Sequence, residues 1–164
     1  MDTLTTIKTT ITDSFSEFEQ LYNKQVGLFS DLVSDKLSHR NLLGGKHLRP
    51  ILTLLSAGLF SKANGKSIKI ATALELLHNT TLIHDDVVDE SPLRRGEEAM
   101  HTTEGNKIAV LAGDYLFSQV FKLLIQTGDM EVLQRVANLT EAMGAGELQQ
   151  QYASKQRKSS LSVY

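Results

Sequence analysis

The sequence predicts an all-α fold, and three observations indicate it. Apolar residues recur at spacings of three and four over most of the 164 residues, as they do on one face of a helix. Only two prolines are present, Pro50 and Pro92. No stretch alternates apolar and polar residues for long enough to indicate a strand between turn signals. With 41% hydrophobic residues, the chain can build a helical core.

The breaks in this periodicity predict five helices. Pro50 suits a first helical turn, where the missing N–H would have no partner in any case. The segments SKANGK and TGD interrupt the apolar pattern after the second and fourth helices. The helices are expected at residues 4–37, 49–60, 67–89, 106–126 and 130–152. Residues 1–151 are expected to belong to a single all-α domain, and the polar, basic residues 152–164 to form an irregular tail.

Composition excludes several classes of function and location. The net charge of −2 argues against wholesale nucleic-acid binding, and the absence of cysteine excludes disulfides and thiolate metal sites. The N-terminus MDTLTTIKTTITDSF lacks the basic and apolar regions of a secretory signal, and no apolar run appears long enough to span a bilayer. We therefore expect no transmembrane segment and a cytoplasmic location.

The segment HDDVVDESPLRRG concentrates opposite charges. Its four carboxylates, Asp85, Asp86, Asp89 and Glu90, occupy six positions, and two arginines follow four residues later. Two like charges about 4 Å apart repel by about 1 kcal/mol in water and about 4 kcal/mol at an effective dielectric constant near 20. The cluster is therefore either a solvated surface or a site for a cation.

On a helix that turns about 100° per residue, Asp85 and Asp89 share one stripe with His78 and Thr81, and Asp86 lies at its flank. Acids at a helix C-terminus oppose the helix dipole by roughly 0.3–1 kcal/mol each. Two acids alone would indicate a solvated helix end, but four acids followed by two arginines favour a metal. Oxygen ligands without cysteine indicate Mg²⁺.

Zinc is the rival metal. His78 and His84 lie about 240° apart on the helix, so they do not face one ion together. The adjacent His84 and Asp85 weakly resemble the metal site of phosphohydrolases, which need further histidines. Such ligands would have to come from His39, His47 and His101.

The segment GGKHLRP supplies the basic counterpart. Lys46 and Arg49 lie one turn apart at the start of the second predicted helix, where free N–H groups and the helix dipole attract anions. Lysine acts on phosphate as a point charge, whereas arginine offers a two-pronged fork. Together with Arg94 and Arg95, these residues flank the acidic site. This combination indicates diphosphate groups that are partly bridged by a metal and partly held directly.

These motifs resemble a known family. GGKHLRP, LLHNTTLIHDDVVDESPLRRG and AGDYLFSQVF, with the later GELQQ, are similar to the N-terminal motifs of the trans-isoprenyl diphosphate synthases, or polyprenyl synthetases, over about residues 30–150. The DDxxD motif alone is shared with class I terpene cyclases, which GGKHLRP disfavours. The resemblance implies an all-α bundle around a central cavity, usually a homodimer. It implies a prenyltransferase that joins an allylic diphosphate to isopentenyl diphosphate with Mg²⁺.

The resemblance also implies roles for individual residues. Asp85 and Asp89 would ligate Mg²⁺ on the allylic diphosphate with support from Asp86, and Arg94 would contact that diphosphate. The sequence departs from the family at His47, where a second arginine is usual. The isopentenyl diphosphate pocket would contain Lys46, Arg49, His78 and Arg95.

Product length is expected to depend on Thr80 and Thr81, because family members with short products carry bulky residues just before the first aspartate. Two small residues there predict a deep tube and a geranylgeranyl or longer polyprenyl product, unless residues of other helices close the tube.

The family's second half carries a further aspartate-rich motif that this sequence lacks, so we expect a truncated chain. It would act within a longer protein or with a complementing subunit, or it would be a non-catalytic remnant that binds Mg²⁺-diphosphate.

Overall fold

The computed structural model describes residues 9–32, 42 and 45–161, with side chains through residue 156. These residues form six α-helices and one small sheet, which confirms the predicted all-α class. The chain divides into two compact units, Met1–Gly128 and Asp129–Tyr164. The elements are α1 (Thr12–Ser30), α2 (Leu48–Gly58), α3 (Gly65–Val88), β1 (Leu93–Arg94), β2 (Glu97–Glu98), α4 (Met100–Glu104), α5 (Asn106–Ile125) and α6 (Met130–Leu161).

Helix α3 is the centre of the first unit, and α1, α2 and α5 all pack against it. It begins at a capping box: the Asn64 side chain accepts the N–H groups of Lys66 and Ser67, and Ser67 Oγ accepts the N–H of Asn64. Its apolar and small residues are buried on most sides. The buried apolar residues of α3 are Ile68, Ala71, Ala73, Leu76, Leu77 and Ile83.

Helix α1 contributes an aromatic stripe to the same core. Phe15, Phe18, Tyr22, Val26 and Phe29 recur at spacings of three and four, and all are buried, as the periodicity predicted. Burial of each large side chain stabilises the fold by about 1.5–3 kcal/mol. Helix α1 ends at Ser30, whereas the prediction ran to residue 37. Residues 4–8 and 33–37 of the predicted first helix lie outside the described residues.

The second, third and fourth predicted helices agree with α2, α3 and α5 to within two residues at each end. Helix α5 is also the one helix in the described part of the chain that is long and apolar enough to cross a membrane. Buried residues such as Ala112, Leu116 and Val120 lie along α5, which packs against α3. A core helix passes the same test of length and composition.

The segment between α3 and α5 contains structure that the sequence pattern did not predict. Strands β1 and β2 pair antiparallel, with Leu93 opposite Glu98 and Arg94 opposite Glu97. The loop residues Arg95 and Gly96 have φ angles of 55° and 84°. Two positive φ angles in a two-residue loop define the turn whose twist suits a hairpin. Two-residue strands are too short to produce a recognisable alternation, and α4 is a helix of only five residues.

The prediction of an irregular tail from residue 152 was wrong for the described residues. Helix α6 continues to Leu161, nine residues beyond the expected end, and residues 162–164 lie outside the described part. The prediction relied on apolar periodicity, which an exposed polar helix does not need. No glycine or proline follows Gly146, and alanine, lysine, glutamine and arginine have high helix propensity. Gln151 Nε2 also donates a hydrogen bond to Glu147 Oε1 one turn earlier, at 3.2 Å.

Candidate diphosphate and metal site

Helix α3 has a closed side, which is buried, and an open side, which is partly accessible. The open side contains His78, Thr81 and Asp85, each half-buried, and it ends at the exposed Asp89. This is the stripe predicted from the turn of 100° per residue. Thr80, by contrast, lies on the closed side with 3% of its surface exposed. The structure therefore separates the two threonines that were expected to act together.

Asp86 is also on the closed side, where it is 5% exposed and bound to Arg94. Arg94 Nε donates to Asp86 Oδ2 at 3.0 Å, and Arg94 Nη2 donates to Asp86 Oδ1 at 2.5 Å. Arg94 Nη2 also donates to the carbonyl oxygen of Leu82 at 3.3 Å. Both carboxylate oxygens of Asp86 are thus engaged by the protein. The ion pair fastens the hairpin to α3.

The hairpin directs its two adjacent arginines differently. Arg94 turns toward Asp86, whereas Arg95 is exposed and its guanidinium lies against the backbone of Gly45. A Cβ atom built on Gly45 would lie 3.1 Å from Arg95 Nη1, and Gly45 has a φ of 146°. A side chain at position 45 would therefore be strained and crowded. The contact brings the arginine motif next to the GGKHLRP motif, although the two lie far apart in sequence.

Electrostatic effects on His78 indicate how close these basic groups are to the open side. Burial lowers the pKa of His78 most, and the charge of Arg49 lowers it next. Arg95 and Arg94 lower this pKa further, whereas Glu75 opposes them. Three predicted phosphate-binding arginines thus act on a single imidazole of the open side. Lys46 and Arg49 are exposed at the start of α2, as a site for an anion from solvent requires.

The donor set on the open side fits Mg²⁺. Among the described residues, no group of three or more His, Cys, Asp and Glu side chains could hold a metal by itself. Mg²⁺ does not require such a group, because it commonly binds one or two carboxylates and completes its shell with waters and phosphate oxygens. Asp85 and Asp89 offer two carboxylates one turn apart, at the helix end where the dipole is negative.

Zinc receives no support from the histidines in the described part of the chain. His47 Nδ1 lies 3.0 Å from Glu75 Oε1, and His84 Nε2 donates to the carbonyl oxygen of Val110 at 3.2 Å. His101 Nδ1 is buried without a hydrogen-bond partner in the described structure. His39 lies outside the described residues.

Sequence reasoning missed how the acidic end of α3 is held. The ring of His84 lies against α5 at Gly113, where an added Cβ would be 2.1 Å from His84 Nε2. His84 Nε2 also lies 3.7 Å from Asp114 Oδ1. The available signal was Gly113 inside the apolar helix pattern AGDYLF, since a glycine kept in a helix interior can have a packing reason. His84, which directly precedes Asp85, is thereby fixed against α5.

Comparison with known proteins identifies the family of this chain. The profile of the polyprenyl synthetase family matches residues 31–164. The chain is 36% identical over 155 residues to an all-trans-nonaprenyl-diphosphate synthase (geranyl-diphosphate specific) from Rhodobacter capsulatus, an alignment that covers 94% of this chain and 48% of the relative. It is 48% identical over 81 residues to a geranylgeranyl pyrophosphate synthase from Geoglobus acetivorans. That alignment covers 49% of this chain and 25% of the relative.

Solved structures give the same result. A decaprenyl diphosphate synthase from Rhodobacter capsulatus superposes with a TM-score of 0.77 at 31% identity, over 88% of this chain and 45% of that one. A polyprenyl synthase from Caulobacter crescentus, in complex with calcium and isoprenyl diphosphate, gives 0.76 at 30% identity, over 89% of this chain and 44% of that one. The chain thus spans about half the length of the curated relatives it matches. By the family profile and by these similarities, the chain belongs to the polyprenyl synthetase family.

Proposed function

We propose that this chain carries the diphosphate-binding part of a prenyltransferase, which joins an allylic diphosphate to isopentenyl diphosphate in isoprenoid biosynthesis. The observation that supports this most is the contact between Arg95 and Gly45, which brings two basic motifs together beside the acidic end of α3. A site with carboxylates alone would bind a metal, and one with bases alone would bind a single phosphate. Their combination suits two diphosphates held at once.

The two diphosphates are assigned to different residues. Asp85 and Asp89 would hold Mg²⁺ on the allylic diphosphate, where the ion supplies Lewis-acid stabilisation of the charge on the leaving group. Lys46, Arg49 and Arg95 would hold isopentenyl diphosphate through direct charge-assisted hydrogen bonds. His78 lies among these arginines, and its lowered pKa keeps it neutral near pH 7, so that it offers one donor and one acceptor.

Arg94 is the residue whose predicted role changes most in this proposal. Its Nε and Nη2 are engaged with Asp86 and Leu82, so Nη1 is the remaining guanidinium nitrogen. Arg94 would contact the allylic diphosphate through Nη1 while it keeps its ion pair. The pair would then set the position of that contact, because an arginine held by both carboxylate oxygens has little freedom.

The reaction follows from these positions. Diphosphate leaves the allylic carbon, the double bond of isopentenyl diphosphate attacks that carbon, and a proton is then lost to the released diphosphate. Positively charged side chains stabilise the negative charge that develops on the leaving diphosphate. Water must be excluded during this step, because it would react with the allylic cation. Leu74 and Thr81 on the open side of α3 would line an apolar path for the hydrocarbon tail.

A non-catalytic role is the alternative, and one observation favours it. The open side of α3 presents a single pair of carboxylates, and the described residues contain no further cluster of metal-binding side chains. One pair grips a diphosphate from one side only. In this alternative the chain is a remnant or a partner subunit that binds Mg²⁺-diphosphate.

Association with another chain is part of the proposal in either case, as a homodimer or with a complementing subunit. Large apolar side chains are exposed on α2 and α5, among them Leu52, Leu111 and Ile125 with 54–64% of their surfaces accessible. In the proposal, these exposed apolar side chains lie at the interface with the other chain. We also propose a cytoplasmic location.

Turnover separates the two functions. The chain would be incubated with Mg²⁺, geranyl diphosphate and labelled isopentenyl diphosphate, and products would be resolved by chromatography. Elongated product that is lost in an Asp85→Asn, Asp89→Asn variant supports the prenyltransferase. Binding of geranyl diphosphate without product supports the alternative. Absence of both product and binding would refute both proposals.

Product length gives a finer proposal, that Thr81 leaves room for a geranylgeranyl or longer tail. Thr81 lies on the open side one turn before Asp85, and its Oγ1 donates to the carbonyl oxygen of His78 at 2.8 Å, so only its methyl group meets a tail. Thr81→Phe is expected to shorten the product, whereas Thr80→Val on the closed side should leave its length unchanged. The products of an active preparation would be compared by mass. Equal lengths in wild type and Thr81→Phe would refute this proposal.

A further inference from the structure

Glu75 is a buried carboxylate on the closed side of α3 that the proposed reaction does not use. Its residue is 6% exposed, and Oε1 accepts a hydrogen bond from His47 Nδ1 at 3.0 Å. Oε2 has no hydrogen-bond partner among the described residues. Burial of a carboxylate is costly unless a partner compensates it. The interaction with His47 is therefore important to the placement of this group.

His47 in turn occupies an unusual backbone conformation. It is the residue before α2, with φ 49° and ψ 43°, in the left-handed region. This conformation costs a non-glycine residue roughly 1–2 kcal/mol. The ring of His47 packs edge-on against Phe18 and Tyr22, with centroid distances of 5.6 Å and 5.4 Å. Together with Glu75, these rings hold His47 in the strained geometry.

Tyr22 holds the chain on the other side of Lys46, at Leu42. Its hydroxyl donates to the carbonyl oxygen of Leu42 at 2.6 Å and accepts from Asn79 Nδ2 at 2.7 Å. Burial raises the pKa of Tyr22, and the charge of Glu75 raises it further. The phenol therefore stays protonated and continues to donate. Helices α1 and α3 thus hold the chain on both sides of Lys46.

The backbone at His47 sets where its neighbours project, because Lys46 precedes it and Arg49 lies in the first turn of α2. We propose that Glu75 is a positioning residue: through His47 it fixes the Lys46–Arg49 segment for binding of isopentenyl diphosphate. This inference rests on the proposed function, and it adds residues that touch no substrate. Loss of Glu75 should weaken binding of that diphosphate and leave the allylic diphosphate at Asp85 and Asp89 little affected.

Two variants of Glu75 separate positioning from packing. Glu75→Leu fills most of the space of the side chain but removes the hydrogen-bond acceptor. In Glu75→Gln, the amide oxygen can still accept a hydrogen bond from His47 Nδ1. Thr72→Val is the matched control, because Thr72 is fully buried one turn earlier on α3 and its Oγ1 bonds within its own helix. His47→Ala removes the same interaction from the other side. It provides the second variant if Glu75→Leu does not fold.

Limited proteolysis of the full chain tests the position of the segment without any ligand. Trypsin can cleave after Lys46 only when the segment opens, and the bond between Arg49 and Pro50 resists it. Loss of one hydrogen bond should raise cleavage after Lys46 about fivefold in Glu75→Leu and His47→Ala. Glu75→Gln and Thr72→Val should be cleaved at the wild-type rate. Equal rates in wild type and Glu75→Leu, in chains of equal helical content, would overturn the inference.

Binding measured by calorimetry tests the functional consequence. The Kd for isopentenyl diphosphate should rise about fivefold in Glu75→Leu, while the Kd for geranyl diphosphate with Mg²⁺ changes less than about twofold. Equal weakening of both ligands would indicate a general loss of structure and overturn the positioning role. If the wild-type chain bound no isopentenyl diphosphate while the cleavage difference remained, the proposed function would fail, and the assignment of Glu75 to that ligand would fail with it.

Discussion

The two sides of α3 use the same residue types for different purposes. On the closed side, Glu75 and Asp86 are buried, and each accepts a hydrogen bond from a side chain of another element. On the open side, Asp85 is half-buried and Asp89 is exposed at the negative end of the helix dipole. A carboxylate that the protein neutralises stabilises the fold. In the proposed function, the accessible carboxylates of Asp85 and Asp89 would instead hold Mg²⁺.

The two arginines after α3 show the same contrast between a residue bound within the protein and an accessible one. Arg94 is half-buried and pairs with the buried Asp86, whereas Arg95 is exposed and lies against Gly45. Arg94 ends strand β1 and Arg95 begins the hairpin loop with a positive φ, so the turn directs two adjacent side chains differently. The following predictions test this division, from the largest expected effect to the smallest.

Arg94→Ala should lower the free energy of unfolding by about 3–5 kcal/mol, because it leaves the buried carboxylate of Asp86 without its partner. Arg95→Ala is the matched control and should change stability by less than about 0.5 kcal/mol, since the side chain is exposed. Urea denaturation of both variants measures the difference. Similar losses in the two variants would show that the hairpin does not separate their roles.

Gly113→Ala should lower the free energy of unfolding by about 1–3 kcal/mol through overpacking, because the new Cβ would meet the ring of His84. Gly144→Ala in α6 is the control, since a Cβ there meets nothing within 4 Å. It should stabilise by up to about 1 kcal/mol through helix propensity. Combining Gly113→Ala with His84→Ala should remove most of the clash. A stabilising effect of Gly113→Ala alone would contradict the close approach of α3 and α5.

Asp89→Asn should raise the free energy of unfolding by about 0.5 kcal/mol in the absence of ligand, because it relieves unfavourable interactions with Asp85 and with the helix dipole. Asp13→Asn should have the opposite sign, since Asp13 lies in the first turn of α1. Both effects should shrink in 1 M salt. If Asp89→Asn were destabilising at low salt, the carboxylate would already have a stabilising partner within the chain.

The smallest effect concerns His78 and pH. Its pKa in the folded chain lies below the ordinary value of 6.5, so just below pH 6.5 the unfolded chain binds more protons than the folded chain. This residue therefore reduces stability as the pH falls below 6.5 and has little effect above it. NMR titration should give a lowered pKa that rises in Arg49→Ala. An unchanged pKa in that variant would place Arg49 away from the open side.

The sequence was sufficient for the fold class and for much of the helix pattern, because apolar periodicity reports directly which face of a helix is buried. It also placed Asp85, Asp89 and His78 on one stripe of α3, since that depends only on the helical turn. The GGKHLRP and RRG motifs were associated by charge alone, and Arg95 does lie against Gly45.

Other features depend on contacts between distant residues, and periodicity does not report those. The bond between Asp86 and Arg94 requires the hairpin, whose strands are too short to be recognised. The fit of His84 against Gly113 and the bond between His47 and Glu75 require the docking of other segments on α3. The helix beyond Tyr152 was missed for a different reason, because an exposed polar helix carries no apolar signal.

The central claim is that the open side of α3 binds a divalent cation together with a diphosphate. Calorimetric titration of the chain with geranyl diphosphate, with and without Mg²⁺, tests it most directly. Binding should require Mg²⁺ and should weaken at least about tenfold in the Asp85→Asn, Asp89→Asn variant, which remains folded, while Arg95→Ala keeps this affinity within about threefold. Binding that is equally strong in the doubly substituted variant, or that does not depend on Mg²⁺, would contradict the account.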